Sequence, residues 1–422
     1  YLYAWTGERF EFLTDFLGAG EMGYYEAPGV RNNPDPVEYV RIAPGRLVPR
    51  DGRYEVRVTN ELEEVLYLDR IRLLAIDHPA DVAVFPDAGM TDPPKPFRLF
   101  AVRDPRTPRA TDDAGRDVTD RLARLDRVFA ADLPLERIRG YAKEHALTFD
   151  LSALPASHTL LLVTGWTDYA FSSDNVAAHQ AGLRSVPPRL EVEQADGRWA
   201  TAVEQVGIPV GRPQTVVVDL AGKLGPSRRA RLVTTMRVYW DEAAVAAPAP
   251  DVVLEPAALD PVRADLRERG FSAVATDGEP LRFDYGRVSW LSPWKAMAGH
   301  YTREGDVRPL LAAADDLFVV SKPGDEVALA FDATALAPPS PGRSRTFLLH
   351  GVGFSKEMDI NSASPDVVLP LPYHGMKAYP YAEKDVPPAA RTAAREAEAW
   401  NTRLVVRPTV PIELFVSGKD AR

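Results

Sequence analysis

The side chains able to do chemistry here are carboxylates, imidazoles, hydroxyls and aromatic rings, because the chain has no Cys. Thiolate catalysis, disulfides and zinc–thiolate sites are therefore excluded together. Asp112, Asp113, Asp117 and Asp120 crowd around Gly115, an oxygen-rich loop of the kind that holds Ca²⁺, the one cofactor the sequence raises. Their spacing departs from D-x-D-x-D-G, and a solvated turn in which Asp117 caps a helix accounts for the same residues. Trp166, Tyr169 and Phe171 gather beside Asp174 and Asn175, while Trp290, Trp294 and Tyr301 form a second aromatic set. Exposed beside hydrogen-bonding groups, such rings make platforms for sugars. Buried, they would plug the ends of sheets. Paired carboxylates such as Asp168 and Asp174, or Asp325 and Glu326, would serve glycoside hydrolysis if held about 5–10 Å apart across a cleft. Neighbouring strand residues point to opposite faces, which disfavours the second pair.

Other motifs fail on context. Gly18-Ala19-Gly20-Glu21-Met22-Gly23 fits G-x-G-x-x-G, yet a dinucleotide site needs a helix directly behind it. Pro28-Gly29 would end any such helix within two turns, so the glycines read as a surface loop. The chain contains no G-x-S-x-G and no H-E-x-x-H, and its seven His residues (78, 145, 158, 179, 300, 350 and 374) are scattered.

The elements that must position these groups read as strands. The 422 residues include 38 Pro and 28 Gly, which predicts many short elements and turns. Alternating aromatics around Thr6-Gly7-Glu8-Arg9 predict a hairpin over 1–12. Strands are expected at 54–58, 65–76, 159–164, 189–193, 215–220, 229–234, 236–240, 317–320, 326–331, 346–350, 403–406 and 412–416. Helices are expected at 118–133, after Asp260-Pro261, and at 387–401. The spacing predicts a mainly β protein of two or three β-sandwich (jelly-roll/galactose-binding-like) domains with a few short helices. Expected boundaries are 1–105 for an N-terminal β domain, 106–248 for a sandwich with a short helical insertion, and 249–422 for a second sandwich.

A net charge of −10 and a pI near 5.4 argue against a nucleic-acid partner. No apolar run reaches the ~18 residues of a membrane span. The stretch from Leu369 to Tyr381, LPLPYHGMKAYPY, is apolar and stiffened by proline. It is expected to lie extended over a surface, either its own sandwich or a partner's, through Tyr373, His374, Tyr379 and Tyr381. The opening at Tyr1 reads as a piece of a longer polypeptide or a subunit of an envelope complex.

Several passages carry a resemblance: Tyr1-Leu2-Tyr3-Ala4-Trp5 with Asp15-Phe16-Leu17-Gly18, Ala75-Ile76-Asp77-His78-Pro79-Ala80-Asp81, Thr235-Met236-Arg237-Val238-Tyr239-Trp240-Asp241 and Pro370-Leu371-Pro372-Tyr373-His374-Gly375-Met376. Together they resemble the C-terminal region of secreted bacterial proteins with FG-GAP/VCBS repeats, ASPIC/UnbV segments and often tetratricopeptide repeats. The resemblance implies a β-rich extracellular, periplasmic or cell-envelope protein and carries over no catalytic residue. Function is read first as a non-catalytic binding or assembly module, with a glycan or other envelope proteins as partners. The alternatives are an extracellular polymer hydrolase using paired carboxylates and a calcium-stabilised structural protein.

Overall fold

The computed structural model describes residues 1–25, 35–274 and 283–406. It is mainly β, as the spacing predicts, with two α-helices among the described residues. The expected strand 412–416 lies outside the described residues.

Two strands organise the first half of the molecule. Glu64–Pro79 and Arg343–Glu357 are almost wholly apolar or buried, and they pair antiparallel from Glu64↔Glu357 to Pro79↔Arg343. Burial on both faces explains why neither shows clean alternation. Ala257–Leu259, Val319–Ser321, Glu21–Met22 and Val37–Ile42 complete this sheet. Facing it is a second sheet, in the order Phe10–Thr14, Leu2–Trp5, Arg53–Thr59, Asp325–Asp332, Pro261–Glu268 and Gly305–Asp306. Val56, Val58, Leu329 and Phe331 from one sheet meet Leu66, Leu68, Leu73 and Leu349 from the other in a shared core.

The second sandwich occupies the middle of the chain. Trp199–Val203, Arg189–Glu193, Arg229–Met236, Tyr141–Asp150 and Arg109–Thr111 form one sheet. Gln214–Asp219, Leu160–Thr167, Val238–Pro248, Leu99–Arg106 and Val82–Pro86 form the other. Leu147, Phe149, Leu190 and Leu232 pack against Leu161, Val163, Val218 and Val245 between them.

This pairing corrects the three-unit division. Residues 1–105 and 249–422 do not make separate sandwiches, since strands from both ends alternate within the same two sheets. The middle sandwich is inserted into the first. Two helices are also corrected. Over 118–133 only the 3₁₀ turn Thr119–Leu122 forms, because Leu125 and Val128 are exposed and no apolar stripe is left to pack. Pro261 begins the strand Pro261–Glu268 instead of a helix, a position where its missing N–H costs no ladder bond. The third expected helix forms as α2, Pro388–Ala397, with proline in its first turn and Ala390, Ala393 and Ala397 buried.

Candidate functional site

The two sandwiches meet through a junction with one closed side. Glu38, on Val37–Ile42, is buried and accepts from the Leu17 backbone N–H and from Arg212 Nε at 2.9 Å. Arg212, itself buried, also donates to Tyr39 O at 3.1 Å. A Cβ on Gly18 would lie 2.6 Å from Gly211 Cα, so the two backbones touch there only because both residues are glycine. That contact, with the positive φ of Gly23 and the 2.7 Å from a Gly20 Cβ to Gly353 O, explains the G-x-G-x-x-G run without a nucleotide. Helix α1, Ser172–Gln180, docks its N-terminus on the first sandwich. Ser172 Oγ donates to Glu357 Oε1 at 2.6 Å and Ser173 Oγ to Asp359 Oδ1 at 2.7 Å. Carboxylates at a helix N-terminus also suit its dipole.

Beside this seam the junction opens into a cleft of about 790 Å³ lined by both sandwiches. Its position follows from period-two alternation. Val40 and Ile42 point into the core, which turns Arg41 outward to the cleft, while the outward Tyr39 ring stacks on Phe97 and His350 at 4.0 and 4.7 Å. Phe10 and Phe12 on the hairpin, and Phe85 and Phe283, add rings. Arg41 lies over the Phe85 ring at 4.4 Å and donates from Nε to Val84 O at 2.7 Å. Among the described residues no carboxylate stands within 4 Å of its guanidinium, and burial lowers its pKa against the opposing charge of Glu242. Burial, then Asp241, raises the pKa of Glu242. Asp241 accepts from the backbone N–H groups of Asp126 and Arg127 at 3.1 and 2.9 Å, fixing the rim loop, where Arg127 holds a left-handed φ of 65°. The Thr164 and Thr215 hydroxyls share a hydrogen bond of 2.8 Å on the same wall. Flat rings, guanidinium donors and carboxylate acceptors thus alternate around one concavity.

A second, closed space of about 30 Å³ lies at the junction against Asp15, Glu21, Glu64 and Tyr169. Burial pushes Asp15 up to about 6 and Glu64 up to about 7, and holds Glu21 well above the carboxylate range.

The residues singled out from sequence mostly serve the fold. Trp166 lies in Leu160–Thr167 and stacks on Tyr239 at 5.7 Å. Tyr169 meets Phe171 edge-on. Asp174 accepts from the Phe171 N–H, and Asn175 Oδ1 accepts from the Tyr141 hydroxyl at 2.9 Å. Tyr301 is a core residue whose hydroxyl donates to Met297 O. Trp294 donates from its indole to Glu61 O at 2.9 Å, and Trp290 is 71% exposed. Of the paired-carboxylate candidates, Asp174 is spent on the helix N-terminus and the other three are engaged by arginine. Asp168 binds Arg139 and Arg237, Asp325 binds Arg403, and Glu326 binds Arg267.

The acidic loop is corrected too. Asp112 accepts from Ala114 N, Arg116 N and Arg116 Nε, Asp113 from Ala146 N, and Asp117 from Thr119 N. Asp120 points to solvent, so the four carboxylates diverge in place of forming a Ca²⁺ cage. The proline-rich segment packs on its own domain, where Tyr373, Met376 and Tyr379 share a core with Tyr67, Phe318 and Phe354, and the Tyr373, Tyr379 and Tyr381 hydroxyls donate locally to Asp385 O, Pro370 O and Leu371 O. Only His374 leads to chemistry, for its Nδ1 lies 2.7 Å from Asp316 Oδ1 and 3.4 Å from Asp69 Oδ2. That convergence was invisible in sequence, since the three residues come from distant segments.

Comparison of the chain with protein families, curated proteins and solved structures finds no match.

Proposed function

We propose that the chain is a non-catalytic binding module of the extracellular space or cell envelope whose inter-sandwich cleft holds a glycan. The observation that carries this reading is the cleft wall itself, where the rings of Phe10, Phe12, Tyr39 and Phe85 alternate with Arg41, Arg46, Glu11 and Glu242. A sugar presents apolar C–H faces and a rim of hydroxyls that both donate and accept, and it needs both kinds of surface at once. Among the described residues no carboxylate engages the Arg41 donors, and its stacking on Phe85 fixes them in place. The resemblance to secreted FG-GAP/VCBS and ASPIC/UnbV proteins supports the location. The test is binding to glycan arrays and insoluble polysaccharides. Retention by wild type that Arg41→Ala abolishes supports the reading, and no retention on either format ends it.

Hydrolysis is a second reading, favoured by one observation. Glu242 is a carboxyl with a raised pKa in the same cleft, as a general acid requires. Release of reducing ends from any retained polysaccharide, lost in Glu242→Gln, would establish cleavage. Retention without release establishes binding alone.

A further inference from the structure

We propose that Asp69, Asp316 and His374 bind a divalent first-row transition metal, Zn²⁺ in the first instance, which clamps the proline-rich segment to the first sandwich. One ligand atom from each residue lies within 4.8 Å of the other two. They arrive from three separate elements: the strand Glu64–Pro79, the loop before Val319–Ser321, and the segment around Tyr373.

Two of the residues sit at irregular features of the backbone, and the third is set by ring packing. Asp69 sits at a β-bulge. Arg70 pairs with Val352 and Leu68 with Gly353, which leaves Asp69 as the extra residue. The slip is visible in the core, where even-numbered Leu66 and Leu68 give way to odd-numbered Ile71, Leu73 and Ala75. Bulges of this kind re-aim a side chain beside functional sites. Gly353 is obligatory opposite it, because a Cβ there would fall 2.3 Å from Tyr67 O. Asp316 has a φ of 70°, in the left-handed region that Asp and Asn enter more readily than other non-glycine residues. The ring of His374 lies parallel to that of Phe318 and packs against Phe354, which sets the plane of its nitrogens.

The charge balance is what a cation would complete. Asp69 is fully buried, and among the described residues no Lys or Arg pairs with it, unlike Asp325 with Arg403 or Glu326 with Arg267. Its oxygens accept only long bonds, from Asp315 N at 3.3 Å and Asp316 N at 3.2 Å. Asp316 Oδ1 also accepts from the His374 backbone N–H at 2.7 Å. His374 Nε2 is buried with no partner, so the imidazole is engaged through Nδ1 alone, toward two carboxylates. Imidazole with carboxylates selects Zn²⁺ and its neighbours over Ca²⁺. Three protein ligands leave a position for water.

The test is titration of the EDTA-stripped full chain with Co²⁺, read by its visible d–d absorption, followed by displacement with Zn²⁺. The expected result is one Co²⁺ per chain, displaced by Zn²⁺ and unaffected by excess Ca²⁺. His374→Gln should weaken binding by more than about tenfold, while Asp113→Asn in the acidic loop leaves it unchanged. Failure of wild type to take up Co²⁺ or Zn²⁺, by absorption or by calorimetry, overturns the proposal. So does full-strength binding by a folded His374→Gln chain, which would make the imidazole a plain counter-ion. Asp69→Asn is the riskier variant for folding, so the wild-type titration decides by itself.

Discussion

The closed seam and the open cleft belong to the same junction, and they differ in what their polar groups are doing. Along the seam, Glu38 is spent on Arg212 and the Leu17 N–H, and Glu357 on Ser172 and Ser362. In the cleft, Arg41 donates one bond to Val84 O and stacks on a ring, while Glu242 faces it without a hydrogen-bond partner among the described residues. A buried polar group that is satisfied holds the fold, and one left unsatisfied in a concavity is available to a ligand. The seam ties the two walls of the cleft together.

Breaking the seam should produce the largest effect. Arg212→Ala leaves the buried Glu38 carboxylate without its cation, and stability should fall by about 3–5 kcal/mol in urea unfolding. Gly18→Ala should come next, at about 1–3 kcal/mol, because the added methyl pushes directly against the Gly211 backbone. Widening of the junction would show as lost glycan affinity in the surviving folded fraction. A Gly18→Ala protein as stable as wild type would show that the two backbones are not pressed together.

Arg41→Ala should behave in the opposite way. Its guanidinium makes one hydrogen bond and no ion pair among the described residues, so stability should change by less than about 1 kcal/mol while glycan retention disappears. Equal losses of stability and retention would make Arg41 a seam residue and erase the distinction.

The smallest effect concerns the closed acidic space. Glu64 holds its proton up to about pH 7 in the folded chain, against 4.5 ordinarily. The folded state therefore binds more protons between those values, and stability falls as pH rises through that window. Glu64→Gln should flatten the decline in melting temperature between about pH 5 and about pH 8, leaving the smaller share due to Asp15. An unchanged slope would mean that Glu64 is ionised in the folded protein.

Contiguous features were legible and convergent ones were not. The hairpin with Trp5 opposite Phe10, the strand Arg189–Glu193 and the helix Pro388–Ala397 follow from local alternation, turns and proline placement. The pairing of Glu64–Pro79 with Arg343–Glu357 does not, because both strands are buried on two faces and lie far apart in the chain. The same holds for the sites. The aspartates at 112–120 stand out because they are close in sequence, yet Asp112 and Asp117 satisfy backbone N–H groups a few residues on, Asp113 is spent on Ala146 N–H and Asp120 is exposed. Asp69 lies in a strand that also carries Glu64 and Asp77, so nothing in its own segment marks the site it shares with Asp316 and His374. For the cleft, the hint was the outward pair Tyr39 and Arg41 between Val40 and Ile42. Aromatic density drew attention to Trp166 and Tyr301 instead, and aromatic density is what a core also looks like.

Ligand is expected to enter the cleft and not the exposed aromatic loop. Calorimetric titration of three chains with the same array-selected oligosaccharide distinguishes the two: wild type, the double variant Arg41→Ala/Phe85→Ala, and Trp290→Ala. Wild type and Trp290→Ala should bind with closely similar affinity, and the folded double variant not at all. Binding that survives in the double variant and vanishes with Trp290 would contradict this expectation.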